Sequence, residues 1–131
     1  MGYSVDIEKI NEYLHVTARG DKSLANILSY LEKVYDACIH HRCSNVLIED
    51  HMVGPKLDSY DIFVVISKNV YKAKTVGLRL AFVNMNTVHD THGLKFGENL
   101  AHIRGMNVRV FYDSNTPEMV AWLLGNQTKS L

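Results

Sequence analysis

The fold is decided by residues 45–59, which read NVLIEDHMVGPKLDS. Residues 46–48 are a short apolar run between polar residues, a pattern typical of a strand buried on both faces in a parallel sheet. The run leads directly into Glu-Asp-His at residues 49–51 and then into a Gly-Pro turn at residues 54 and 55. Ligands bind at the carboxyl ends of the strands in such sheets, so we expect the functional residues to lie at this corner.

Length and charge limit the classes of function. The chain has 131 residues, enough for one domain that buries roughly two-thirds of its unfolded surface. Fourteen basic and fourteen acidic residues give zero formal net charge, and neither sign forms a long run. We therefore predict no nucleic-acid partner.

Hydropathy and cysteine content indicate a cytoplasmic protein. No apolar run approaches the ~18 residues of a membrane span, and the N-terminus lacks the basic and apolar regions of a signal peptide. Cys38 and Cys43 are the only cysteines. Five residues apart across a predicted helix end, they are a weak disulfide candidate and are better interpreted as reduced thiols.

The first part of the chain alternates apolar and polar residues. Alternation around Val5 and Ile7, and again before Gly20, predicts an antiparallel hairpin. Apolar residues then recur at helical spacing from Leu24 to Cys38, which predicts a helix capped by Asp21 or Ser23.

Later segments continue the alternation of strands and helices. Residues 77–85 read as a buried strand, residues 96–103 as a helix and residues 107–112 as a strand near a sheet edge. Thr116-Pro117 is the start signal of a last helix. The predicted order β-β-α-β-α-β-α-β-α gives an α/β fold: one mixed, mostly parallel sheet of about five strands, with an N-terminal β-hairpin and four helices. We predict a single domain over residues 1–126 and a frayed tail over 127–131.

The segment from Tyr60 to Val70 is rich in β-branched residues, which favour a strand by propensity. It nevertheless lies between two predicted parallel strands, and such neighbours need a crossover that is usually a helix. We therefore predict a helix here, with Asp58 or Ser59 at its N-terminus.

Three stretches carry a resemblance to a known fold family: GDKSL at residues 20–24, NVLIED at residues 45–50, and RGMNVRVF at residues 104–111 followed by AWL at residues 121–123. Together with the element order, they resemble the STAS fold of anti-sigma-factor antagonists. The chain is more closely similar to small stand-alone bacterial SpoIIAA-like proteins of that fold. The resemblance implies a regulatory role and covers nearly the whole chain.

The same resemblance singles out a serine. In the anti-sigma antagonists a kinase phosphorylates the first serine of an Asp-Ser-Ser-Gly motif at the start of the second helix. Asp58 and Ser59 match the first two positions, whereas Tyr60 and Asp61 replace the second serine and the glycine. The resemblance thus makes Ser59, next to Asp58, a candidate phosphate acceptor.

Several histidines and carboxylates are candidate ligands. Glu49, Asp50 and His51 would converge on one ion only if a turn brought them together, because adjacent residues of a strand point to opposite faces. His40, His41 and Cys43 would form a zinc site only with a fourth ligand such as His51, at a spacing that matches no standard zinc motif. The two imidazoles also suit the negative end of the dipole of the first helix. His89 and His92 lie in a predicted loop at the same edge of the sheet as Asp50. We predict no metal site and no cofactor.

An apolar pocket is a second interpretation of the same corner. If the loop and helix after the central strand lift away from the sheet, five apolar side chains would line a site for a small molecule or lipid. These side chains are Met52, Val53, Leu57, Phe63 and Met85. Core packing explains the same residues without a ligand.

Three functions follow, in order of preference. The first is a non-enzymatic cytoplasmic regulatory module that presents the loop and helix after the central strand to a protein partner. The second is a small-molecule or lipid binder, and the third is an enzyme with a histidine-based site. A concave pocket beside Phe63 and Met85 favours the binder, and a flat face with exposed Val53, Leu57 or Tyr60 favours the module. We also predict a homodimer, because the hairpin leaves a strand at the sheet edge and Tyr3, Tyr13 and Tyr112 are bulky interface-type residues.

Overall fold

A computed structural model describes residues 2–85 and 91–125 of the chain. It contains five strands and four helices in the predicted order. The elements are β1 (Tyr3–Ile10), β2 (Tyr13–Asp21), α1 (Leu24–His41), β3 (Asn45–Val53), α2 (Ser59–Val76), β4 (Arg79–Asn84), α3 (Thr91–Ile103), β5 (Asn107–Phe111) and α4 (Thr116–Leu123).

The strands form one sheet in the order β1-β2-β3-β4-β5. β1 pairs antiparallel with β2, and the remaining neighbours pair in parallel. β1 and β5 are therefore the two edges. The predicted mixed sheet, the hairpin and the edge position of the last strand are confirmed.

Alternation along the strands separates two cores. Val46 and Ile48 of β3 pack against α1, α2 and α3 on one face, whereas Leu47 faces Met119 and Leu123 of α4 on the other. Arg79 at the start of β4 binds to Trp122 near the end of α4. Its guanidinium lies 3.9 Å from the ring centroid of Trp122 and donates hydrogen bonds of 3.0 and 2.6 Å to that residue's carbonyl.

The helix ends follow local sequence signals. The Ser23 hydroxyl accepts the Asn26 N–H at 3.1 Å and caps α1, and Asp58 caps α2 by accepting the Asp61 N–H at 2.8 Å. The predicted helix over residues 60–70 is confirmed within α2, so the crossover between β3 and β4 prevails over β-branched propensity. Among the described residues, no helix is long and apolar enough to cross a membrane. The predicted tail at 127–131 lies outside the described residues.

Candidate functional site

Asp50 is a buried carboxylate in the middle of the sheet. β3 does not end after Ile48 but continues to Val53, paired with β2 as far as Asp21. Asp50 is only 5% exposed, and it accepts hydrogen bonds from the Tyr30 hydroxyl and from the Met52 N–H, both at 2.9 Å. Burial raises the pKa of Asp50 because the carboxylate loses water, although these two hydrogen bonds oppose the rise.

Glu49 and His51 point to the opposite face from Asp50. Glu49 lies 2.9 Å from the Nε2 atom of His15 on β2 and 3.4 Å from that of His51. Strand alternation thus divides the three consecutive candidates between the two faces. Within residues 2–85 and 91–125, no group of three or more His, Cys, Asp or Glu side chains is arranged to hold a metal ion.

The turn after β3 presents apolar side chains to solvent. Val53 is 67% exposed and Tyr60 is 70% exposed. Gly54 adopts a φ of +153°, and a Cβ there would lie 3.2 Å from the carbonyl oxygen of Lys22, so the turn packs tightly against the short segment that joins β2 to α1. Ser59 is the first residue of α2 and is exposed, at the position predicted for it. We call the exposed surface of Val53, Ser59 and Tyr60 the corner surface.

A cavity of about 190 Å³ lies between the sheet and helices α1, α2 and α3. It reaches the carboxyl edge of the sheet at Lys56 and Leu57, and it extends to Leu78 and Met106, which precede β4 and β5. Its lining is mainly apolar. The four buried polar side chains of the described chain all lie in its wall: Asp50, Asn69, Asn84 and Glu98.

Glu98 of α3 is held by the sheet edge. Its carboxylate accepts the Val110 N–H at 2.7 Å and a hydrogen bond from Lys95 at 3.1 Å. Burial works against ionisation of Glu98, but these partners outweigh it and lower the pKa of the carboxyl. This carboxylate therefore gives the cavity wall a negative charge.

Asn69 of α2 is the least satisfied of the four. It is 5% exposed, and its Nδ2 atom donates to the Val65 carbonyl at 2.6 Å. Among the residues that the structure describes, none donates a hydrogen bond to its amide oxygen. Sequence reasoning missed this residue. The available signal was a polar side chain at helical spacing from Ile62, Val65 and Ile66 on an otherwise apolar stripe.

The predicted pocket residues are dispersed. Leu57 lines the cavity, whereas Met52 is fully buried in the core beside it. Phe63 is 41% exposed and packs outside, with the Arg104 guanidinium 5.4 Å from its ring centroid. Met85 packs against the α4 side of the sheet because it follows the alternation of β4. Neither Phe63 nor Met85 lines the cavity, so it is not the pocket beside these two residues that the sequence analysis associated with a ligand binder.

The remaining predicted residues have no shared site. His92 is exposed in the first turn of α3, and His89 lies outside the described residues. Tyr13, predicted as an interface residue, is 8% exposed and belongs to the core on the α4 face. Cys38 and Cys43 are free thiols.

Comparisons with known proteins bear on the fold. No family model matches the chain, and neither does any curated protein. A Ser-to-Glu variant of RsbS from Moorella thermoacetica is similar over 90% of this chain and 96% of its own, with 14% identity and a TM-score of 0.55. A structure described as the molecular architecture of the stressosome, a signal integration and transduction hub, matches 92% of this chain and all of its own, with 15% identity and a TM-score of 0.53.

A third solved structure has no established function. It is an uncharacterised protein of the DUF3478 family from Shewanella loihica, described as having a SpoIIAA-like fold. It is similar over 93% of this chain and 94% of its own, with 16% identity and a TM-score of 0.53. At these identities the likeness concerns architecture alone. The chain therefore has the SpoIIAA-like fold of the STAS proteins, as the sequence predicts.

Proposed function

We propose that the protein is a non-enzymatic, cytoplasmic regulatory module that binds another protein through the corner surface. The exposure of Val53 and Tyr60 at the end of β3 and the start of α2 carries this proposal. Large aromatic side chains on the surface are typical anchors of protein interfaces. Val53 is the last residue of β3 and Tyr60 is the second residue of α2, and Gly54 between them packs closely against the backbone of Lys22.

The structural neighbours support the regulatory part of the proposal. One of them belongs to the stressosome, which is described as a signal integration and transduction hub. Ser59 lies between Val53 and Tyr60 in sequence and is exposed at the N-terminus of α2. A phosphate there would add about −1.5 to −2 charges at a helix end that tolerates anions. Such a group would change partner binding while leaving the helix folded.

Photo-crosslinking in the native host tests the corner surface. A photoreactive phenylalanine analogue at Tyr60 is expected to form a discrete adduct with a partner protein, because that ring is 70% exposed at the proposed interface. Tyr71 provides a matched control, since it lies on the same helix and is 79% exposed, but near the other end. In the Tyr60 crosslinker background, Ser59→Glu is expected to reduce the adduct several-fold. The same adducts at both positions, or none at Tyr60, would refute the proposal.

We also propose that the chain forms a homodimer through an edge of the sheet. β1 is an eight-residue edge strand whose outer side pairs with no described strand. A second copy that pairs with it would satisfy the free backbone groups and cover the edge. Sedimentation at tens of micromolar is expected to give twice the chain mass of 14.9 kDa. A purely monomeric boundary at that concentration would exclude the dimer.

A second candidate function is the binding of a small molecule in the cavity. The observation that favours it is the combination of an apolar void of about 190 Å³ with four buried polar side chains in its wall. Ligand sites typically combine an apolar lining with a few convergent polar groups. In this proposal, the loop at Lys56 and Leu57 forms part of the cavity entrance, so a bound ligand would lie directly beneath the corner surface.

A further inference from the structure

The size of the cavity limits what it holds. An apolar cavity of about 150 Å³ accommodates one benzene molecule. The cavity under α2 is only slightly larger, about 190 Å³. A single ring or a short alkyl chain fits this space, whereas the void is smaller than the roughly 300 Å³ at which sites for drug-sized ligands begin.

The carboxylates in the wall and their existing partners select against ionised ligands. Asp50 and Glu98 are carboxylates in the wall, and an anion beside them would be repelled in a medium of low dielectric constant. Glu98 already accepts hydrogen bonds from the Val110 N–H and from Lys95, so it does not need a cationic ligand as a partner. Burying an ammonium group also costs its hydration, and Asp50 already accepts bonds from Tyr30 and Met52.

The wall of the cavity contains a hydrogen-bond acceptor to which no described residue donates. Asn69 lines the cavity and is only 5% exposed. No described residue donates a hydrogen bond to its amide oxygen. Buried polar atoms nearly always have a partner. A ligand hydroxyl supplies the missing donor without introducing charge.

We propose that the cavity binds a neutral, mainly apolar molecule about the size of one ring that carries a hydroxyl group. Its chemical class is a phenol or a short-chain alcohol, and this proposal rests on the second proposed function. The hydroxyl donates to the amide oxygen of Asn69, and the apolar part packs against Val65, Ile66 and Leu80. Asn69 is then the residue that determines specificity for an alcohol over a hydrocarbon of the same shape.

Titration of the isotope-labelled chain with four probes tests this assignment by nuclear magnetic resonance. Phenol and toluene have nearly the same shape and differ in the hydroxyl, whereas benzoate and benzylammonium carry a negative and a positive charge. Phenol and toluene are both expected to shift resonances of α2, β3 and β4, and the two ions are expected to bind at least about 10-fold more weakly than phenol. Benzoate or benzylammonium binding as tightly as phenol would overturn the assignment.

Asn69→Leu separates the hydroxyl contact from simple filling of space. Val65 keeps its helical hydrogen bond from the backbone, so the variant removes only the side-chain amide. The ratio of phenol affinity to toluene affinity is expected to fall about 10-fold in this variant, because the bound hydroxyl is left without its acceptor. Asn99→Leu, an exposed asparagine of α3, is the matched control and should leave the ratio unchanged.

The outcomes distinguish the two levels of the proposal. Binding of toluene together with an unchanged ratio in Asn69→Leu would remove the alcohol assignment but leave the cavity as a binding site. Failure of both phenol and toluene to shift any cavity resonance would remove the second proposed function as well. The comparison of charged and neutral probes uses the wild-type chain, so it stands even if the variant folds poorly.

Discussion

Raising the pH from about 8 to about 11 is expected to lower the free energy of unfolding by about 5 kcal/mol, a large part of the stability of a typical domain. The cause is a set of buried ionisable side chains on one helix, α1: Tyr30, Tyr35 and Cys38. Burial raises the pKa of Cys38 from 9.0 to about 11 and raises the pKa of both tyrosines far above 10.0. For Tyr30 the nearby Asp50 carboxylate adds to the rise.

The direction of this pH dependence follows from proton binding. Between the unfolded and the folded pKa values, the folded state keeps protons that the unfolded state has released. The contribution of each group is therefore fully present below its unfolded pKa, near 9.0 for Cys38 and 10.0 for the tyrosines, and is lost as the pH rises towards the folded pKa. Each group removes about 1.4 kcal/mol per pH unit in that window.

Urea denaturation followed by circular dichroism at several pH values measures this loss. Tyr30→Phe is expected to reduce the loss at pH 11 by about 1 kcal/mol, although it also destabilises the chain at neutral pH by removing a donor to buried Asp50. Tyr71→Phe, at a position that is 79% exposed, should leave the pH profile unchanged. A free energy of unfolding that stays constant up to pH 11 would contradict the expectation.

Leu123→Ala is expected to destabilise the chain by about 2–5 kcal/mol, because it deletes most of a side chain that is almost fully buried against the sheet. Leu123 and Met119 are each 1% exposed and attach α4 to the sheet over Leu47 and Val83. Of the described helices, only α4 contributes to this core. Trp122 is the single tryptophan of the chain, so its fluorescence in a urea titration reports directly on this contact.

The neighbouring leucine is the control for this measurement. Leu124 is 41% exposed at the end of α4, and Leu124→Ala should change stability by no more than about 0.5 kcal/mol. Equal effects of the two substitutions would contradict the packing of Leu123 between α4 and the sheet. Both variants leave Arg79 and Trp122 in place, so the fluorescence readout is comparable between them.

The fold was predictable because its signals are local. Alternation in the hairpin, helical spacing from Leu24 to Cys38 and the Thr116-Pro117 start signal each depend on residues close in sequence. The helix over residues 60–70 required one non-local argument, the need for a crossover between parallel strands. The end of β3 was not predictable, because residues 51–53 stay in the sheet through backbone pairing with β2, and no local apolar pattern signals that pairing.

The candidate site was predictable only in part. The corner surface follows from a strand end, a Gly-Pro turn and a helix start, and its exposed Val53 and Tyr60 were named from sequence. The cavity depends on how far α2 stands from the sheet, a distance that no local pattern encodes. Strand parity would have placed Met85 on the far face, since Leu80 and Phe82 line the cavity and Met85 is an odd number of residues from both.

The order of strands in the sheet has a consequence for biosynthesis. The strands lie in the sheet in the same order as in the sequence. From β2 onwards, each strand therefore finds a pairing partner already made as the chain is synthesised at about 5–20 residues per second. Pairings between sequence neighbours keep the loops to be closed short, which favours fast folding. The face of Leu47, Ala81, Val83 and Phe111 is the exception, because its cover, α4, is made last of the described elements. Until Thr116–Leu123 has been synthesised, this apolar face stays open to chaperones and to aggregation.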